Sequence, residues 1–296
     1  LKAALARHHG CTPAHVVVGP GIDGLLGLIC RLTLAPGTPV VTSLGAYPTF
    51  AFHVAGYGGR LSRIPYRGAH EDADALLAAA RAEGARLLYL ANPDNPMGSH
   101  HPGAVIEDLV ANLPGDTLLI LDEAYADLAP AGAIPQIPAD HPQVIRFRTF
   151  SKGYGMAGAR VGYAIAEPAL ALAFDKVRDH FGMGRISQAG ALAALEDQDW
   201  LEGVKAGIAA GRKRLAAIAR ANGLEPLPSA TNFVTIDLGR DGDHARRVLA
   251  EAQARGLFIR MPGVAPLDRC LRISIGPETA LDVVEEVLPL ALKAAD

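Results

Sequence analysis

Lys152 stands between a serine and a run of small residues, in Thr149-Phe150-Ser151-Lys152-Gly153-Tyr154-Gly155-Met156-Ala157, with Arg160 just beyond. The segment follows a mostly apolar stretch, Val144–Phe147, that reads as a buried strand. Thirty positions before the lysine, Asp122 closes a second apolar stretch, Leu118–Leu121. A third, Arg86–Leu90, runs into Asn92-Pro93-Asp94-Asn95-Pro96-Met97-Gly98. In open α/β sheets ligands lie at the carboxyl ends of strands, so Asn95, Asp122, Thr149, Ser151 and Lys152 are expected around one cleft. An aspartate in an apolar run is costly unless a cation or a hydrogen-bond donor meets it. A protonated pyridine nitrogen is such a partner, and an aldehyde cofactor that carries one would use all three strand ends. Lys152 in a dry site would have a depressed pKa and could form a Schiff base with the aldehyde. Tyr125, a helical turn or tight bend beyond Asp122, and Asn95 could both reach a phenolic oxygen on the same ring.

A phosphate on that cofactor would need its own cradle. Gly19-Pro20-Gly21-Ile22-Asp23-Gly24 reads as a loop before an apolar helix, Leu25–Leu32. Backbone amides at Gly21, Ile22 and Asp23 would then face an anion at a helix N-terminus. Thr149 and Ser151 add hydroxyls, and Arg160 adds a forked, permanently charged donor. Tyr47, in Ala46-Tyr47-Pro48, could stack on the ring. Arg272, flanked by strand residues in Cys270-Leu271-Arg272-Ile273-Ser274-Ile275, suits a substrate carboxylate. Arg260 reads either as a contact to a distal phosphate or carboxylate of the substrate, or as a solvated loop charge.

The elements that must position these groups follow from hydrophobic patterning. Strands are expected at Val40–Thr42, Leu61–Pro65, Leu87–Leu90, Leu118–Leu121, Val144–Phe147 and Val161–Ile165, and hydrophobicity that is largely continuous rather than alternating points to cover on both faces. Helical spacing predicts helices over Asp72–Ala82 and Ala104–Asn112 between them. The pattern is that of a mainly parallel α/β sheet with helices on both faces. A long helix is expected over Leu201–Ala221, capped at Asn222-Gly223. Strands at Phe233–Leu238, Leu257–Ile259 and Leu271–Ile275 and helices at His244–Ala254 and Glu278–Ala294 complete a small α+β unit. The expected division is therefore a large domain, residues 1–200, and a small C-terminal domain, residues 201–296. Residues 1–12 read as the tail of an N-terminal segment, since the chain opens on Leu1 in what looks like a helix entered midway.

Composition narrows the function classes. Half of the 296 residues are apolar and a fifth charged, as in a globular domain, and the net charge of −3 gives no reason to expect nucleic acid or an anionic membrane. Apolar runs such as Ala169–Phe174 and Val287–Leu292, the latter broken by Pro289, are too short to span a bilayer. Cys11, Cys30 and Cys270 have no metal-ligand spacing and fit a reducing cytoplasm. The histidines form no metal cluster. His100 and His101 are expected at the surface, and His180 beside an active-site loop.

Taken together, Asn92-Pro93-Asp94-Asn95-Pro96-x-Gly98, Asp122-Glu123-Ala124-Tyr125, Ser151-Lys152 with Arg160, and Leu271-Arg272-Ile273 resemble the signature blocks of fold-type I, pyridoxal-phosphate-dependent aminotransferases of classes I and II. The likeness covers nearly the whole chain and is strongest to the histidinol-phosphate aminotransferase branch. It implies pyridoxal 5'-phosphate held as an internal aldimine on Lys152, Asp122 on the pyridine nitrogen, and Tyr125 and Asn95 on the ring hydroxyl. It further implies Tyr47 against the ring, Thr149, Ser151, Arg160 and the amides near Gly21-Ile22-Asp23 on the phosphate, and Arg272 on the substrate carboxylate. The reaction implied is amino transfer between an amino acid or amino-alcohol phosphate and a 2-keto acid, by a homodimer. A decarboxylase of a phosphorylated amino acid and a cofactor-sensing regulatory domain are alternative uses of the same scaffold. Three features depart from the pattern: Ile22 where Ser or another small residue is usual, Gly24 where an acid is usual, and the stretch His180-Phe181-Gly182-Met183-Gly184-Arg185 in place of an asparagine-containing loop.

Overall fold

Apolar runs become strands buried from both sides, except over Arg60–Ile64, an edge strand whose Ser62 and Arg63 interrupt the run and whose residues are exposed or half-buried throughout. The computed structural model describes residues 1–296. In chain order its elements are α1 (Lys2–His8), β1 (Val16–Gly19), α2 (Gly21–Thr33), β2 (Pro39–Ser43), α3 (Thr49–Gly56), β3 (Arg60–Ile64), α4 (Ala73–Glu83), β4 (Leu87–Ala91), α5 (Gly103–Ala111), β5 (Leu118–Asp122), β6 (Val144–Thr149) and β7 (Gly162–Ile165). There follow α6 (Pro168–Ala173), α7 (Arg185–Glu196), α8 (Gln198–Ala221), β8 (Glu225–Pro226), β9 (Phe233–Asp237), α9 (Gly242–Ala254), β10 (Cys270–Ser274) and α10 (Glu278–Ala295).

The larger sheet has seven strands in the order β1-β7-β6-β5-β4-β2-β3. Strands β2 to β6 run parallel, and β7 alone is reversed, pairing antiparallel with β6 and with β1. Side chains alternate between two cores, as the strand period of two requires. Leu87, Tyr89, Ala91, Leu118, Ile120, Ile145 and Phe147 face one core with Leu25, Leu26 and Ile29 of α2 and Phe50 and Val54 of α3. Leu88, Leu90, Leu119, Leu121 and Val144 face the other, with Leu76 of α4 and Ile106 and Leu109 of α5. Helix α4 starts where it does because the Asp72 carboxylate accepts from the Ala75 amide at 3.1 Å.

A second sheet, β10-β9-β8, is antiparallel throughout. It has its own core, in which Val234, Ile236, Leu271 and Ile273 meet Val248 of α9 and Val284 and Leu288 of α10. Helix α8 serves both parts. Leu201 near its start packs with Phe150 and Tyr154 of the large part, while Leu215, Ile218 and Ala219 enter the small core. Helix α1 adds Ala4, Leu5 and Ala6 to the layer formed by Val16, Phe150, Tyr163 and Ile165.

Several expectations need correction. Strand β1, α3 and α7 were not anticipated; β1 is a four-residue edge strand that runs straight into Gly-Pro-Gly. Helix α2 begins at Gly21 rather than Leu25, so Ile22, Asp23 and Gly24 lie in its first turn and not in a loop. Leu257–Ile259 forms no strand: Leu257 and Ile259 are buried, but pairing is confined to one bridge between Arg260 and Arg272. The helix expected over Glu278–Ala294 is present as α10 and runs through Pro289, which lies on its exposed face. His101 is half-buried, with its Nε2 2.8 Å from the Glu71 carbonyl, and His100 is also half-buried. No helix is long and apolar enough to cross a membrane.

Leu25 is fully buried in the core beneath α2. Replacing it with alanine should lower the unfolding free energy by about 2–5 kcal/mol in denaturant titration. A loss under about 1 kcal/mol would contradict this packing.

Candidate active site

Asp122 ends β5 on the face covered by α2 and α3, paired in register with Ala91. Its carboxylate is buried, Oδ1 accepting from the Ala124 amide at 2.9 Å and Oδ2 from the Tyr89 hydroxyl at 2.7 Å. Burial pushes this carboxyl above the usual range, against the pull of those two bonds and of the Lys152 charge. Lys152 follows β6 into the same cleft, with Nζ 5.3 Å from the centre of the Tyr125 ring. Burial lowers its pKa, the nearby Asp122 carboxylate acting in the opposite sense. Tyr125 packs edge-on against Phe233 of β9 at 5.6 Å, and burial raises its phenol.

Asn95 joins the two parts of the molecule. Its Nδ2 donates to the Tyr125 hydroxyl at 3.4 Å, and its Oδ1 accepts from the Arg272 guanidinium of β10. Arg272 lies 5.1 Å over the Phe233 ring and keeps a buried Nε with no partner. The Asn-Pro segment is braced from below. Asp94 accepts from the Tyr66 hydroxyl at 2.9 Å and the Met97 amide at 3.0 Å, and burial raises its carboxyl to about 7. Beside it the buried Glu71 accepts from Ser43 Oγ at 2.5 Å and from the Ala91 amide at 3.0 Å.

The opposite wall is the N-terminus of α2. The first amides of a helix have no carbonyl four residues back, so those of Ile22 and Asp23 are free for an anion. The Asp23 carboxylate, which would repel one, is engaged instead by His53 at 2.8 Å. Gly21 has φ +83°, and a Cβ there would sit 2.5 Å from Arg160 Nη2. Gly162 of β7 presses closer still, since its Cβ would be 2.7 Å from Gly21 C and Ile22 N. Thr149 Oγ1 accepts from the Ser151 amide at 3.1 Å and lies 2.9 Å from Ser151 Oγ, placing both hydroxyls beside this helix end.

The cleft encloses about 240 Å³. Ile22, Asp23, Tyr47, Asn95, Asp122, Tyr125, Thr149, Ser151, Lys152 and Arg160 all line it. Gly21 stands behind Arg160, and Arg272 reaches the cleft through Asn95. Arg260 is outside it, exposed and stacked 4.4 Å over Phe258, but is bridged through its backbone to Arg272. His180 is not beside this cleft; it lines a separate groove near Gly19 and Pro20. Sequence reasoning missed Tyr89 and Gly162. The one signal for Tyr89 was a hydroxyl in an otherwise aliphatic run, Leu87-Leu88-Tyr89-Leu90.

The donor set fits pyridoxal 5'-phosphate. A buried carboxylate is available for a ring nitrogen, an amine of lowered pKa for an aldehyde, and a tyrosine with an asparagine for a ring oxygen. A helix end with two hydroxyls and an arginine suits a phosphate, and the unpartnered Arg272 Nε offers a donor to a substrate anion. Residues 1–288 match the family model described as aminotransferase class I and II. The chain belongs to that family. It is 36% identical to histidinol-phosphate aminotransferase 2 of Ralstonia nicotianae, the match covering 100% of this chain and 80% of that protein. It is 35% identical to the Rhodospirillum centenum histidinol-phosphate aminotransferase over 97% of this chain and 80% of the relative. Among solved structures, the Sinorhizobium meliloti histidinol-phosphate aminotransferase in complex with pyridoxal-5'-phosphate superposes with a TM-score of 0.97 at 54% identity, covering 100% of this chain and 81% of that one. The chain is a pyridoxal-phosphate-dependent aminotransferase of fold type I. Of the three uses of the scaffold considered above, amino transfer is the one these relatives share.

The contact between β7 and the helix end leaves no room for a methyl group. Gly162→Ala should displace the first turn of α2, lowering pyridoxal-phosphate affinity at least about tenfold and stability by about 1–3 kcal/mol. Equilibrium dialysis and thermal unfolding check both, and unchanged affinity would contradict the cradle.

Proposed function

We propose that the protein moves an amino group between a phosphorylated amino alcohol or amino acid and a 2-oxo acid, with Lys152 as the residue that carries the cofactor and the proton. Asp122, Tyr125, Asn95 and Tyr47 position the ring, and Thr149, Ser151, Arg160 and the amides of Gly21, Ile22 and Asp23 hold the phosphate. The observation that carries this reading is the convergence on one cleft of Asp122 and Tyr125 from the end of β5 and Lys152 from the end of β6, with Asn95 linking Tyr125 to Arg272. When bound, pyridoxal 5'-phosphate supplies an aldehyde and an electron sink. Lys152 Nζ is the base within the cleft, and burial lowers its pKa, which eases loss of its proton. With the cofactor bound, Nζ would take the α-proton of the substrate and hold it for return. Asp122, whose two donors oppose the effect of burial, would favour a protonated ring nitrogen.

Substrate choice rests on two arginines. Residues directly opposite in an antiparallel bridge direct their side chains to the same face, and Arg260 and Arg272 are so paired, by bonds of 3.1 and 2.7 Å. Like charges opposite one another are unfavourable, which favours a substrate with an anionic group for each. A dicarboxylic amino donor supplies one carboxylate for each, and histidinol phosphate, named for the relatives, supplies a single phosphate that the pair would share. The division at residues 200 and 201 then makes the small domain the carrier of both arginines, with α8 as the connection. The exposed Phe181 and Ile186, 96% and 90% accessible, support a homodimer, and three unpaired cysteines support a cytoplasmic setting.

Pyridoxal phosphate added to the protein should give a near-visible band that amino donors discharge, with the oxo compound corresponding to the donor and not carbon dioxide as the product. Borohydride should fix the label on wild type and not on Lys152→Ala. Labelling of the variant equal to wild type would refute the lysine assignment, and carbon dioxide release would refute amino transfer. The rate at which added pyridoxal phosphate develops the near-visible band should rise with pH as Lys152 loses its proton, half-maximally below 10.5, the ordinary lysine value. A midpoint at or above that value would contradict the buried setting.

A further inference from the structure

We propose that Tyr89 is a positioning residue whose hydroxyl holds the Asp122 carboxylate in place for the cofactor's ring nitrogen. The inference rests on the role given to Asp122 above and adds the residue on which that role depends. Register pairs Tyr89 with Ile120 and Ala91 with Asp122, so Tyr89 and Asp122 lie on the same face of adjacent strands. The other side chains of that face in β4 and β5, Leu87, Ala91, Leu118 and Ile120, are aliphatic. The Tyr89 ring stacks on Phe50 at 4.8 Å and 14° and is fully buried, a packing task that phenylalanine would perform as well.

The hydroxyl is therefore the feature to explain. A buried hydroxyl without a partner is unfavourable, and Asp122 Oδ2, at 2.7 Å, is the one hydrogen-bond partner it has. The two carboxylate oxygens are held by different means. The Ala124 backbone amide holds Oδ1 whatever side chains surround it. Oδ2 depends on Tyr89 alone. Two donors on two oxygens fix the plane of the carboxylate and oppose the effect of burial, which favours its protonated form. A protonated carboxyl could not pair with a protonated ring nitrogen. Tyr89 also contributes to the wall of the cleft, so its hydroxyl joins the core to the site.

Three variants separate this role from packing and from the reading beneath it. Tyr89→Phe removes one oxygen, Phe50→Leu disturbs the stack but leaves the hydroxyl, and Asp122→Asn removes the charge. Each protein, supplied with pyridoxal phosphate, is followed by visible absorption across pH, by equilibrium dialysis and by thermal unfolding. Y89F should bind the cofactor about tenfold more weakly. The midpoint at which its visible band titrates should move in the same direction as in D122N, but less. F50L should unfold at lower temperature with its midpoint unmoved. A Y89F midpoint equal to wild type, with D122N displaced, would overturn the role of Tyr89 and leave that of Asp122. A midpoint displaced equally in F50L would overturn it in favour of packing. If neither Y89F nor D122N moved, the reading of Asp122 would fail and this inference with it.

Discussion

A carboxylate buried in an apolar layer is unfavourable by several kcal/mol unless charges and donors surround it, and Asp122 imposes that requirement on everything near it. The Ala124 amide and Tyr89 hydroxyl meet it in part, and Lys152 adds a positive charge across the cleft. A cationic ring nitrogen would complete it. The strand period decides where this happens: Asp122 is the last residue of β5 on the α2 and α3 face, so the cleft opens on that side of the sheet. Its neighbours in sequence serve a different purpose. Glu123, one residue on, points to the opposite side and is enclosed by Arg146 and Arg148 at 2.8 and 2.9 Å. One carboxylate is closed off by arginines and the other is left facing a cavity, and that difference separates a structural acid from a functional one.

The second organising contact runs between the two sheets. Segment 92–98 carries Asn95 toward the cofactor side, while the Pro96 carbonyl accepts from Thr235 Oγ1 at 2.7 Å and the Gly98 carbonyl from the Ala230 amide at 2.8 Å. Arg272 then closes onto Asn95 from β10. The group proposed to bind substrate anions is thus tied, through a single asparagine, to the group proposed to sense the ring oxygen. Displacing Asn95 from Arg272 on substrate binding would be felt at Tyr125, which shares the same amide.

Much of this was legible before any coordinates. The buried parallel strands announced themselves by continuous apolar runs, because both faces meet helices, and their ends carried Asn95, Asp122 and Lys152 in order. The start of α2 was not legible: Gly19-Pro20-Gly21 reads as a turn, and only the packing of Gly162 against Gly21 and Ile22 shows that the helix begins there. Tyr89 was hidden for a related reason, since an aromatic in a core strand is ordinarily packing, and its hydroxyl gains meaning only from a register that no local pattern reveals. Leu257–Ile259 had the pattern of a strand, but burial of two side chains needs no ladder, and only Arg260 pairs. Arg260 and Arg272 lie twelve positions apart in sequence, and their shared face became visible only through that pairing.

The most direct test is a crystal structure of the protein grown with pyridoxal 5'-phosphate. Continuous density from Lys152 Nζ to the cofactor, with the ring nitrogen within hydrogen-bonding distance of Asp122 and the phosphate at the N-terminus of α2, is the predicted result. Cofactor attached to another lysine, or bound with its ring nitrogen remote from Asp122, would contradict the account.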